Sequence, residues 1–160
     1  MSKFILGIDP GFAILGWGII EVDSKKIIST NWGAITSHSS EKIEYRLLKI
    51  YEGLTQIISL YKPEEMSLEK VFFNKNAKTV ISVSQSQGIV LLLSALYKIP
   101  IFEYTPLQVK SALTGYGNSD KQQVQNMLKL LLKLEEIPKP DDAADGLALA
   151  LCHLQTNRFI

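Results

Sequence analysis

The sequence predicts an α/β protein: a mixed five-stranded sheet flanked by helices. Two observations carry this. Three strand-like runs, starting near residues 4, 15 and 27, follow one another with short connections, as in an antiparallel meander. Beyond them, helical and strand-like patterns alternate, as when strands are joined through helices. A chain of 160 residues fits one domain, residues 1–160, with a sizeable core. No repeat, low-complexity segment or linker interrupts it.

Each element has its own warrant. The stretch K-F-I-L-G-I-D-P-G at 3–11 is an apolar strand that ends on Asp9 and is broken by Pro10-Gly11. Residues 15–22 read as the second strand, 23–26 as a turn and 27–36 as the third strand. Ser40 is a plausible N-cap. Ile43, Leu47, Ile50, Leu54, Ile57, Ile58 and Tyr61 then recur at helical spacing until Lys62-Pro63. Residues 66–73 read as a fourth strand running into a polar loop. Residues 79–99 form a long helix whose second half is apolar nearly all round. Such a helix needs cover on two sides, and a second subunit is one candidate. Residues 100–104 are the fifth strand.

Thr105-Pro106-Leu107-Gln108 combines Pro at the first helical position with a capping box, and predicts a short helix to about Leu113. Ser119 and Gln122 read as a second capping box, ahead of a stripe of Val124, Met127, Leu128, Leu131 and Leu132. Pro138-Lys139-Pro140 ends that helix. Asp141-Asp142-Ala143-Ala144-Asp145 opens the last one.

Composition narrows the function classes. Hydrophobic content of 46% and charged content of 21% are those of an ordinary globular protein. One cysteine, Cys152, rules out an intrachain disulfide and suits a reducing compartment. The most apolar run, 89–97, is far short of the ~20 residues of a membrane helix, and no signal peptide is evident. A cytoplasmic protein without a membrane partner is the expectation. Net charge is only +1, so any nucleic-acid surface must be a local patch.

Four acids carry the chemistry: Asp9, Glu69, Asp142 and Asp145. Asp9 alone reads equally as a turn cap or as a carboxylate buried to hold a cation. Glu69, like Asp9, lies near the end of an apolar strand, so neighbouring strands would bring the two together. Asp142 and Asp145 share one helix face, although acids at a helix start also serve as caps and dipole partners. Crowded acids without basic partners repel one another, and a hard divalent cation relieves that repulsion. Two Mg²⁺ ions are the usual apparatus for in-line attack at phosphorus. His38 and His153 are far apart in sequence, and with a single Cys there is no zinc pattern.

Several motifs together resemble a known family. These are G-I-D-P-G at 7–11, S-L-E-K-V-F-F-N-K-N-A at 67–77, Q-x-x-G at 85–88, I-F-E-Y-T-P-L-Q-V-K at 101–110, and D-A-A-D-G-L-A-L-A-L-C-H at 142–153. In order and spacing they resemble the RuvC Holliday-junction resolvases over nearly the whole chain. The resemblance implies a ribonuclease H-like fold, a homodimer, and cleavage of four-way DNA junctions that depends on two Mg²⁺ per site, with Mn²⁺ as a substitute. It implies paired symmetric nicks in recombination and repair, alongside a branch-migration motor complex. Asp9, Glu69, Asp142 and Asp145 match the catalytic, metal-holding acids. Phe72 matches an aromatic that stacks on an unpaired base, although either Phe72 or Phe73 must also serve the core.

Lys110 and Lys121 match basic residues near the active site, against the alternative of solvated helix positions. Lys75, Asn76 and Lys78 lie on a polar loop suited to phosphate contacts. Two departures stand out: Phe12, where a small or polar residue is common, and Gly146 in place of Ala, which would loosen the helix by up to ~1 kcal/mol. The competing readings are a nuclease of the same fold acting on RNA, a non-catalytic junction-binding module, and an ATP-dependent kinase-like protein. The length argues against the last, and the four intact acids argue against the module.

Overall fold

In a computed structural model that describes residues 1–72 and 76–157, the chain forms one five-stranded sheet in the order β3-β2-β1-β4-β5. The strands are β1 (Lys3–Asp9), β2 (Ile14–Asp23), β3 (Lys26–Thr36), β4 (Glu65–Glu69) and β5 (Ile101–Tyr104). β1 pairs antiparallel with β2 and β2 with β3, while β1–β4 and β4–β5 are parallel. The sheet is therefore mixed, as the connection lengths required: turns join the meander, and helices join the parallel strands.

The helices are α1 (Ile43–Tyr61), α2 (Ala77–Tyr97), α3 (Pro106–Thr114), α4 (Lys121–Leu132) and α5 (Asp141–Asn157). Strand alternation sorts the core into two layers. Leu6 and Ile8 of β1, Leu15 and Ile19 of β2, and Met66 and Leu68 of β4 pack against Ile50, Leu54 and Ile58 of α1 and Val90 and Leu93 of α2. Ile5, Ile20 and Tyr104 point to the other face, toward α3, α4 and α5. Helix α5 is the central cover there, with every residue from Gly146 to Leu154 buried.

Sheet and α5 approach at backbone distance. A Cβ on Gly7 would lie 2.0 Å from the Gly146 carbonyl oxygen, and one on Gly18 would lie 2.3 Å from the Leu147 Cα. Gly146 answers from the helix side: a Cβ there would stand 2.7 Å from the Trp17 Cα. The expectation that Gly146 merely loosens its helix is thus corrected. Its missing side chain is the space into which β2 fits.

Several boundaries differ from expectation, each for a local reason. Helix α1 is capped by Lys42 in extended conformation with no side-chain bond. The Ser40 hydroxyl is instead 2.7 Å from His38 Nδ1. The second capping box is formed by Asp120 and Gln123, not Ser119 and Gln122. Ser119 is buried, and its hydroxyl donates to the Tyr116 carbonyl oxygen at 2.7 Å. Leu131 is on the exposed side of α4, while Gln125 is buried. Strand β4 stops at Glu69. Helix α2 starts two residues early, because Asn76 caps it by accepting from the Lys78 N–H.

The expected apolar wrapping of α2 is one-sided. Ser86, Val90 and Leu93 are buried, but Leu91, Leu92, Leu96 and Tyr97 are 41–58% exposed. Leu93 is fully buried within the chain, while Leu92 beside it is 49% exposed. The helix has 21 residues and a mean hydropathy of 1.5 in its most apolar window, so by length and composition alone it could span a membrane. The core helix of a globular protein meets the same test.

Candidate active site

Strand parity places the acids. On β1, Ile5, Gly7 and Asp9 share the face toward α5. On β4, Glu65, Ser67 and Glu69 do the same. The parallel register couples Ile8 to Leu68, so Asp9 and Glu69 come one residue later, side by side at the strand ends. Asp9 also pairs with Gly16 of β2, and the backbone of Asp142 fills the space above Gly16. That contact fixes the first turn of α5 over the end of β1, so Asp142 and Asp145, one helical step apart, face Asp9 and Glu69.

Electrostatics records the convergence. The Asp9 carboxyl is pushed up from 3.8 to about 8, by burial first and then by Glu69, Asp145 and Asp142, with a hydrogen bond to Glu69 added. The Asp145 carboxyl is also raised: burial leads, Glu69 and Asp142 add to it, and Lys121 opposes it. Proton sharing among carboxylates is what like charges do when no cation separates them. Among the described residues no group of His, Cys, Asp or Glu is arranged as a ready-made metal cage. Yet this all-oxygen set, with its excess negative charge, fits a hard divalent cation rather than a thiophilic one.

The basic residues divide. Lys110 and Lys121 line a cavity of about 220 Å³ together with Glu69 and Asp145. Lys121 Nζ lies 3.2 Å from Asp141 and 3.9 Å from Asp145. Burial lowers the Lys121 ammonium, but the Asp141 hydrogen bond and the acids around it raise it further. Asp141, expected only to cap its helix, is thus the holder of Lys121. Its own carboxyl is pulled down by Lys121, then by Gln125, which donates to it at 3.2 Å.

Phe72 is exposed, as a stacking aromatic must be. Asn76 is exposed and serves as the α2 cap, and Lys78 is exposed beside it. Lys75 and Phe73 lie outside the described residues. His153 is no ligand of this site. It is fully buried, with Nδ1 2.7 Å from the Tyr104 hydroxyl and Nε2 2.7 Å from Glu65. The sequence carried one signal for the tight α5 packing, the G-x-G of residues 16–18 inside a strand pattern.

A mixed sheet in this order, with acids at the ends of two central parallel strands and on the helix laid over them, defines a ribonuclease H-like protein with a carboxylate-lined site. Structural comparison agrees. Thermus thermophilus RuvC in complex with Holliday junction substrate superposes with a TM-score of 0.92 at 30% identity, covering 98% of this chain and 96% of that one. The yeast mitochondrial Holliday junction resolvase Ydc2 shares the fold at a TM-score of 0.63 and 17% identity, covering 94% of this chain and 78% of that one.

The family model for crossover junction endodeoxyribonuclease RuvC matches residues 5–153. The RuvC of Caldanaerobacter subterraneus subsp. tengcongensis is 49% identical over 98% of this chain and 94% of its own. That of Desulforamulus reducens is 51% identical over 94% and 93%. The chain belongs to the RuvC family of crossover junction endodeoxyribonucleases.

Proposed function

We propose that this chain is a homodimeric, Mg²⁺-dependent endonuclease that resolves four-way DNA junctions by paired symmetric nicks, leaving 5′-phosphate ends. The observation that carries the reading is the convergence of four acids: Asp9 and Glu69 side by side at the ends of β1 and β4, with the first turn of α5, which bears Asp142 and Asp145, seated on Gly16 beside them, and the Asp9 carboxyl raised by burial and by the other three. A site built at that electrostatic cost is explained by cations that the reaction needs.

Asp9, Glu69, Asp142 and Asp145 would hold two Mg²⁺ ions, with Mn²⁺ able to replace them. Bound there, the metal supplies Lewis-acid activation of water and charge neutralisation at phosphorus. The chain's other groups orient the DNA. Lys110 and Lys121 line the same small cavity as Glu69 and Asp145 and would offset charge on the reacting phosphate. Exposed Phe72 offers a stacking surface to a base that is unpaired at the crossover. Exposed Asn76 and Lys78 are placed to contact the DNA backbone, and the sequence assigns Lys75 the same role.

Two opposed strands must be cut to leave two intact duplexes, and a two-fold dimer supplies two equivalent sites. The exposed apolar stripe on α2 supports the dimer. The known resolvase structure with junction DNA supports the substrate. Work beside a branch-migration motor follows from the same family reading, and a cytoplasmic setting from the lone Cys152.

The deciding experiment offers a labelled four-way junction, a matched duplex and an RNA hairpin to the protein in Mg²⁺. Selective junction cleavage at symmetric positions supports the proposal. Preference for the RNA, or binding without cutting, overturns it.

A further inference from the structure

Beside Asp142 lies a second groove, of about 490 Å³, lined by Phe12, Arg46, Lys78, Thr79, Ser82 and Asp142 among others. Asp142 belongs to both this groove and the acidic site, so the two are contiguous. The groove's best-defined feature is Arg46. Its guanidinium carbon sits 4.0 Å from the centre of the Phe12 ring. Its Nε–H donates to the Ser37 hydroxyl at 2.9 Å, and that hydroxyl donates in turn to the Phe12 carbonyl at 3.2 Å.

One edge of the guanidinium is therefore tied down and one face is covered. Among the described residues Arg46 makes no ion pair at salt-bridge distance. Glu41, whose carboxyl feels the Arg46 charge, is already paired with Lys49 at 2.6 Å and accepts from the His38 N–H at 2.7 Å. A planar cation fixed on two sides, in a groove that Lys78, Thr79 and Ser82 also line, has the chemistry of a bidentate phosphate receptor.

We propose that Arg46, held on the Phe12 ring, is a positioning residue that receives a backbone phosphate of the strand being cut, next to the phosphate at the acids. The inference rests on the junction-endonuclease reading. It also accounts for Phe12, the departure noted in the sequence, because the ring restricts Arg46 to one orientation.

The test uses the full chain as wild type, Arg46→Gln, Arg46→Lys and Phe12→Leu. Junction binding is followed by anisotropy in Ca²⁺ across a KCl series, and cleavage in Mg²⁺ in single turnover. Arg46→Gln should weaken binding about tenfold at low salt, the scale of one charge-assisted contact. It should also reduce the slope of log affinity against log salt by about one. Arg46→Lys should restore the slope. Phe12→Leu should keep the slope and weaken binding about threefold, as loss of an exposed cation–π platform implies.

A merely structural Arg46 would change the melting temperature and leave the slope alone. Wild-type affinity and slope in Arg46→Gln, with a wild type that binds and cuts junctions, overturns this inference alone. If Arg46→Gln does not fold, unchanged affinity in Phe12→Leu overturns it equally. A wild type that ignores junctions overturns the endonuclease reading, and this inference with it.

Discussion

The carbonyl oxygen of Asp142 occupies the space where Gly16 has no side chain: a Cβ on Gly16 would stand 1.7 Å from it. The contact is between backbones, so neither side can rotate away. It joins the strand beside Asp9 to the helix that carries two of the four acids. Fold stability and site geometry are therefore one problem at this position.

Gly16→Ala should separate α5 from β2 or unfold the chain. Overpacking of a tight core typically costs 1–3 kcal/mol, and a clash with backbone should reach at least ~3 kcal/mol. At ~2–4 °C per kcal/mol for a domain of this size, the melting temperature should fall by ~6 °C or more. Gly146→Ala is the sharper comparison, since propensity alone predicts a gain of ~1 kcal/mol. The Trp17 backbone predicts a loss. A calorimetric scan showing a raised melting temperature for Gly146→Ala would refute the packing argument.

The pH dependence of the metal-free protein has a definite sign. The folded Asp9 carboxyl titrates near 8 against 3.8 as its ordinary value, so between those values the folded state binds more protons than the unfolded one. Stability is then fully present below about 4 and is lost as pH rises through about 8, by roughly a few kcal/mol. Asp145, raised in the same way, adds to the loss. The Glu65 and Asp141 carboxyls, held below their ordinary range, act in the opposite sense, but in a window already complete by about pH 5. Melts in EDTA at pH 5 and pH 9 check this: wild type should be less stable at pH 9, and Asp9→Asn should lose much of the difference.

Much of this site was legible in the sequence, because the signals were local. Asp9 closes an apolar strand just before Pro-Gly, and Asp142 and Asp145 open a helix after Pro140; both are punctuation a chain carries in one place. Glu69 followed from its place near the end of the fourth strand. What was not legible depends on elements far apart. The pairing of Asp141 with Lys121 needs α4 and α5 docked. The seating of Arg46 on Phe12 needs α1 beside the β1–β2 turn. The Ser119 reading failed because Asp120 offers the same capping chemistry one residue later, and only the buried Ser119 hydroxyl decides between them.

The proposed metal-holding role would make the acids separable from binding. Asp9→Asn, Glu69→Gln, Asp142→Asn and Asp145→Asn should each reduce junction cleavage by about a hundredfold or more, since metal assistance is worth several kcal/mol. Junction affinity in Ca²⁺ should hold or rise, because each change removes negative charge facing a polyanion. Two or more variants cutting at the wild-type rate in Mg²⁺ would end the four-acid assignment.

Lys121 and Asp141 test positioning against charge. Both are substantially exposed, so breaking the pair with Asp141→Asn should cost no more than ~1 kcal/mol of stability. Lys121→Ala should reduce single-turnover cleavage far more than junction affinity, since its ammonium lies 3.9 Å from Asp145 in the cavity that Glu69 and Asp145 line. Equal losses in both measurements would assign Lys121 to ordinary backbone binding.

The α2 face gives the last prediction. Ile81, Leu92 and Leu96 recur at helical spacing on the side turned away from the sheet, each about half exposed or more. Gly88 lies among them with nothing within 4 Å of where a Cβ would be, so a second backbone could approach there. The neighbouring helix α1 covers one flank of α2 but leaves this stripe open. An apolar stripe this long is unusual on the surface of a monomer and is the feature expected of a subunit interface. Leu92→Glu and Leu96→Glu together should therefore produce a folded monomer of 17.9 kDa, read by sedimentation at micromolar concentration. Because Leu93, not Leu92, fills the intrachain core, the melting curve should show a folded protein. The monomer should lose coordinated cutting of the two strands: single nicks should accumulate where wild type gives paired ones. A wild-type chain that sediments as a monomer and still makes paired, symmetric nicks would show that the stripe has another use.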